Sequence, residues 1–374
     1  MLGCVVSLTS SHLSGSTIRD MNTGGSVLCS NSSFSSLLSS PNNDPEPSEP
    51  TVSPAGDYTQ DSVVDGTEYY FDSTSGIESS STNFSNCRFT GDTFYQSARP
   101  LTFNNYPGAI SIKSCSFTGI TNTDDPGAAV HVYTEDSLSN PSITAKLSNF
   151  TSCSARGRGG AMYVSDVDGI LIESCHFEEC SAGFGGGIHL TGKKVELINS
   201  HVTDCTSSTA GAGMFGSAHL NMSIVDTRIE NCKFIPEVGL QPGGGLYLAS
   251  SGLVSVKGSQ FIGCSSGGPG GAVVCSLEND LNISDTLVKD CHSGATGAIF
   301  IMQQGDCPSI LFSHVLFDGN SIGDDISFLE VVLRFSENVT KFPDVAIMGN
   351  DNTVYPTLTF DDCFTTIASD SLWC

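Results

Sequence analysis

Cysteine recurs along the middle of this chain at Cys153, Cys180, Cys205, Cys232, Cys264 and Cys291, roughly once every 27 residues. A thiol can ligate a soft metal, close a disulfide or act as a nucleophile, and spacing separates these chemistries. Metal sites normally gather cysteines at short intervals such as C-x-x-C, whereas these recur singly. Disulfides between neighbouring repeats stay open, because stacked repeats would fall within the permitted Cα separation. Cysteine is also a small, highly buried side chain that stacks well in a tight turn. The six are therefore read as a structural ladder of thiols. The chain holds 15 cysteines, an odd number, so at least one is unpaired in a monomer.

The remaining polar candidates are weaker. Histidines stand at His12, His131, His176, His189, His201, His219, His292 and His314, with no Ser-His-Asp or His-x-x-x-His spacing. His176 and His201 each precede a large apolar residue and should face outward, where Glu178 and Asp204 could join them in a surface patch. Asp166 and Asp168, in the stretch SDVDG, could hold Ca2+ through oxygen ligands, although an exposed turn explains them equally. No residue is assigned a catalytic or cofactor-binding role, and Ca2+ is the single cofactor left open.

What positions these residues is a repeat. Aligning on the large apolar residue three before each ladder cysteine gives Phe89, Phe117, Phe150, Phe177, Val202, Ile229, Phe261, Val288 and Phe317. Five residues upstream stand Phe84, Ile112, Ala145, Ile172, Leu197, Ile224, Val256, Ile283 and Phe312; two further back come Thr82, Ile110, Ile143, Ile170, Val195, Met222, Val254, Leu281 and Ile310. A difference of two is the strand period with one face inward. A glycine-rich corner followed by a short apolar strand precedes most copies, as in GGAMYV from Gly159, GGGIHL from Gly185 and GGGLYL from Gly243. Each unit thus supplies two short strands, with room for a third, and no helical periodicity. Units this short must stack to bury their apolar face. The expected fold is all-β: a right-handed parallel β-helix solenoid with coils of about 27 residues, equivalent strands lying about 4.8 Å apart.

The glycine corner followed by Phe-x-x-Asn resembles the GGA/FxxN repeat of the polymorphic outer membrane proteins. Phe317-Asp-Gly-Asn320 matches it literally, while Phe150 to Cys153, Phe177 to Cys180 and Phe261 to Cys264 carry cysteine in place of asparagine. The chain resembles still more the large β-helix surface proteins of the pectin-lyase-like superfamily, over about residues 84–320. That resemblance implies surface display and adhesion; it does not decide activity, because the fold hosts enzymes as well as passive binding surfaces. The superfamily's polygalacturonases carry an Asn-Thr-Asp stretch similar to Asn122-Thr123-Asp124-Asp125, but their histidine and arginine elements have no counterpart here.

Composition agrees with a solenoid of short strands and many turns: 40 glycines, and 15% charged residues. With 15 Lys and Arg against 40 Asp and Glu, the net charge of −25 repels phosphate backbones and excludes a nucleic-acid partner. No stretch of about 18 apolar residues predicts a transmembrane helix, and the N-terminus does not read as a signal peptide. Asn-x-Ser/Thr sequons at Asn31, Asn83, Asn149, Asn221, Asn282 and Asn338 point towards export.

Four regions follow. Residues 1–38 hold the first coils, with Leu13 and Phe34 at the large apolar station and Leu8 and Cys29 five before it. Since no polar cap precedes them, further coils are expected to stack on this end, as in a fragment of a longer protein. Residues 39–81, rich in Pro, Ser, Asp and Glu, read as a mobile loop, with Tyr69 to Phe71 as a strand rejoining the stack. Residues 82–320 form the repeat core, and 321–374 irregular terminal coils with a partial cap. The functional expectation is a non-catalytic cell-surface or secreted module presenting an elongated face to glycan or protein ligands. The alternatives are a polysaccharide lyase or glycoside hydrolase, and a gene fragment without independent activity.

Overall fold

The computed structural model describes side chains over residues 52–53, 55–58, 68–72, 81–91, 99–124, 126–135, 141–235, 242–294, 297–302 and 310–321, together with the backbone of a few further strands. The fold class is as read from the repeat. Every strand pairing among the described residues is parallel, and the strands fall into sheets of 21, nine, eight and two strands. One coil shows the anatomy. Ile188–Ile198 lies in the largest sheet, His201–Thr203 in the nine-stranded sheet and Thr206–Ala210 in the eight-stranded one. The last of these is a third strand per coil.

The apolar stations are the core. Ile170, Val195 and Met222 pair across successive coils, as do Ile172, Leu197 and Ile224, and all point inward. The large apolar station forms a column in which Phe89, Phe117, Phe150 and Phe177 stack face to face at 4.7–4.8 Å. A parallel, in-register stack places identical side chains one rung apart, which is the separation at which aromatic rings pack.

Two corners bracket that column. Three residues before it the backbone turns left-handed in every coil, at Asn86, Ser114, Leu147, Ser174, Asn199, Asp226, Gly258, Asp285 and His314. Two residues after it the same happens at Gly119, Ser152, Glu179, Asp204, Asn231, Gly263, Asp290 and Gly319. Asn, Asp and Gly dominate because they tolerate positive φ at least cost. The glycine corner obeys a different constraint, close approach: a Cβ on Gly186 would overlap the carbonyl oxygens of Thr206 and Ala212.

Between the corner and the column lies a row of small buried residues, and it is polar for a reason. Ser148 Oγ accepts from the Cys115 amide at 3.0 Å and donates to the Lys146 carbonyl at 2.9 Å. Ser200 repeats this with Cys175 and Ile198, and Ser259 with Thr227 and Lys257. Each hydroxyl satisfies backbone groups that the turn removes from the ladder.

The stretch 39–81 differs from a plain loop. Asp57–Gln60 is a strand that pairs with both Leu28–Ser30 and Thr82–Ser85, and Tyr69–Asp72 pairs with Leu101–Asn104. It therefore supplies a further coil, with Tyr58 at the station of Phe84 and stacked on it at 4.7 Å. The strand expected at Tyr69 to Phe71 is present, whereas the polar composition hides the one carrying Tyr58; residues 39–51, 54, 61–67 and 73–80 lie outside the described residues. At the N-terminal side Leu13 pairs with Phe34 and Leu8 with Cys29. Beyond residue 322, Glu330–Phe335, Val345–Met348 and Thr357–Asp361 continue the largest sheet. No helix among the described residues is long and apolar enough to cross a membrane.

Candidate functional site

The ladder cysteines occupy one station and are fully buried. Each Sγ points at two carbonyls, one two residues back and one in the preceding coil: for Cys180, Glu178 at 3.3 Å and Phe150 at 3.6 Å. The same pattern holds at Cys205 and Cys291. Asn320 takes this station at the end of the row and shows what it requires. Its Nδ2 donates to the Val288 carbonyl at 2.9 Å and its Oδ1 accepts from the Cys291 amide at 2.9 Å. A thiol performs the donating half more weakly. All six thiols are free in the structure. Hydrogen bonding to its neighbour and burial push the Cys153 thiol up, whereas the thiols of Cys153 and Cys205 donate towards Cys180 and pull it down. Burial keeps Cys275, outside the ladder, pushed up to about 12. These buried thiols should not react with a thiol-specific reagent in the folded chain and should react fully in denaturant; prompt native-state labelling at these positions, located by peptide mass mapping, would contradict free, sequestered thiols.

The other candidates scatter. Asp168 is ion-paired with Lys193 at 2.5 Å, while Asp166 turns away in a left-handed conformation and accepts from Ser165 Oγ at 2.7 Å. Among the described residues no three His, Cys, Asp or Glu side chains gather as a ligand set. Asn122 is buried and its Oδ1 caps the Asp124 amide at 3.0 Å, a local turn; Asp125 lies outside the described residues.

A cavity of about 330 Å³ opens instead on the outer side of the largest sheet. It is built from two outward rows and a corner. The first row, His189 and Phe215, comes from the residue just after the first inward position beyond each glycine corner. His189 and Phe215 stack at 4.5 Å and 2°, and Tyr163 and Tyr247 extend the column on either side. Two residues on, Ser165, Thr191 and Ser217 form the second row. The wall comes from the preceding turns, where Arg158 bridges to Phe184 and its guanidinium lies 5.9 Å from that ring's centre. Phe184 meets Phe215 edge to face at 6.0 Å. The strands bulge beside the cavity, between Val164 and Val167 and between Gly192 and Lys194, which swings Asp166 to its rim. Bulges often re-aim side chains next to sites.

The electrostatics are unusual at one point. His189 is 4% exposed although it faces away from the core, because Arg158 and Phe184 fold over it. Its Nδ1 has no hydrogen-bond partner. Burial, followed by the nearby Arg158 charge, pulls its pKa down to about 3, so the ring is neutral. Cation, carboxylate, hydroxyls, a neutral imidazole and two phenyl rings thus line one small space. This lining combines apolar surface with several orienting polar groups, as ligand sites do.

Arg158, Phe184, His189, Phe215 and Ser217 were not singled out from the sequence. A signal was present: strand alternation predicts polar residues on the outer face, yet His131, Tyr163, His189, Phe215 and Tyr247 place a ring at that position in five consecutive coils.

The family described as "Right handed beta helix region" matches residues 102–270 and 185–339. No curated protein matches the chain. Among solved structures, a mutant of a periplasmic alginate epimerase is similar at 12% identity with a TM-score of 0.32, covering 78% of this chain and 76% of that one.

Proposed function

We propose, given that the chain belongs to the right-handed β-helix family, that it is a glycan-binding module working at a cell surface or outside the cell, with the cavity around His189 as its binding site. The observation that supports this most is the lining itself. A sugar presents hydroxyl groups around an apolar ring face. Arg158, Asp166, Ser165, Thr191 and Ser217 offer donors and acceptors beside the rings of Phe184 and Phe215. The unpartnered Nδ1 of His189 is a buried polar atom whose desolvation is uncompensated until a ligand hydroxyl meets it. The cavity lies at the small end of ligand sites and suits one sugar residue of a longer chain, while the flanking outer face is long enough to carry the rest. The sequons agree with export.

Binding of soluble oligosaccharides to the whole chain, measured by calorimetry after a glycan-array screen, tests the reading. Phe215→Ala and Arg158→Ala should each weaken binding by about tenfold or more, equivalent to about 1.4 kcal/mol. Leu220→Ala, at an exposed position outside the cavity lining, should leave it unchanged. Binding indifferent to both cavity variants would remove the site. Depolymerisation of the bound glycan would replace the binding reading with the enzymatic one, in which Asp166, His189 and Arg158 become the groups to examine.

A further inference from the structure

The nine-stranded sheet carries a second feature that the glycan site does not use. Its parallel register sets His176 directly opposite His201, flanked on the inside by Phe177 and Val202, so both imidazoles project from the outer face. Their ring centres are 4.7 Å apart and the planes are tilted by 46°. Neither ring has a hydrogen-bond partner among the described residues, unlike His292, whose Nδ1 lies 2.9 Å from Ser321 Oγ.

We propose that His176 and His201 form a two-imidazole site for a divalent transition-metal ion on the outer face of the stack. Rungs of a parallel sheet are about 4.8 Å apart, so two histidines in register can turn one nitrogen each towards a shared ion without moving the backbone. The surroundings favour this. Arg228 follows His201 in register, but its Nε is held by Glu230 at 2.7 Å and its Nη1 by Gln260 at 3.3 Å, which draws its charge towards the next coil. Imidazole donors select zinc, nickel or copper ions over calcium or magnesium, which take oxygen ligands. The net charge of −25 concentrates cations near the surface.

The test is calorimetric titration of the whole chain with Ni2+ in a buffer that does not bind metal, in excess Ca2+. One ion per chain is expected for the unsubstituted protein. His176→Gln and His201→Gln should each weaken binding by about tenfold or more, whereas His292→Gln should not. Because both side chains are at the surface, unchanged circular dichroism and urea midpoints without metal will show that the variants fold. Absence of Ni2+ binding, or binding unaffected by both substitutions, overturns the proposal. The glycan site stands or falls separately, since its variants lie on a different sheet.

Discussion

Acidifying the solution from pH 6.5 to pH 5 is expected to destabilise the unsubstituted chain by up to about 2 kcal/mol more than a His189→Phe variant. In the folded chain His189 is held neutral by burial, first, and by Arg158, with its pKa lowered from 6.5 to about 3. An unfolded chain binds a proton at this residue as the pH falls through 6.5, while the folded chain does not. The stability associated with the neutral ring is therefore complete above pH 6.5 and is lost as pH falls towards 3, at up to about 1.4 kcal/mol per pH unit. Phenylalanine keeps a ring between Tyr163 and Phe215 and cannot protonate. Urea midpoints of both proteins at pH 6.5 and pH 5 measure the difference, and equal losses would show that His189 is not sequestered. The comparison cancels the contributions common to both proteins.

Replacing Phe150 by alanine should cost about 3–5 kcal/mol. The ring is fully buried and lies between Phe117 at 4.7 Å and Phe177 at 4.8 Å, nearly parallel to both. Removing it leaves a void inside a column whose neighbours are pinned by left-handed corners at Ser114 and Gly119 and at Ser174 and Glu179, so collapse into the space is limited. Solenoid stability is close to a sum of repeats and nearest-neighbour interfaces. The lost contacts therefore weaken two interfaces at once. Hydrogen exchange should quicken in the coils containing Phe117, Phe150 and Phe177 before it quickens near Phe261. Phe150→Leu, which keeps most of the volume, should cost less than about 1.5 kcal/mol. A uniform acceleration along the chain, or a loss below about 1 kcal/mol for alanine, would contradict the column as a main contributor.

Much of the fold was legible because a parallel stack converts sequence period into spatial neighbourhood. Phe117 and Phe150 are 33 residues apart and one rung apart for the same reason that Ile110 pairs with Ile143. The cysteine row was visible as a column of small residues, whereas only the structure shows that Ser148 and Ser200 serve amides of the preceding coil. The strand at Tyr69 to Phe71 was legible, but the one through Tyr58 was not, since a single inward aromatic residue does not stand out from a run of Pro, Ser and Asp.

The candidate site was harder to read. Its rows could be found by extending the alignment outward, but its wall could not. Arg158 and Phe184 belong to turns whose path over the outer face depends on the bulges at Val164 to Val167 and Gly192 to Lys194. A period specifies which residues share a column; it carries no information on how far a corner folds back, because that is set by the local twist and by close packing against side chains from other coils. The sequence by itself thus determined the stack, its inward columns and the placement of its cysteines on one station. Only the tertiary structure decided that an outward histidine is buried, and that a cation, a carboxylate and two phenyl rings close around it.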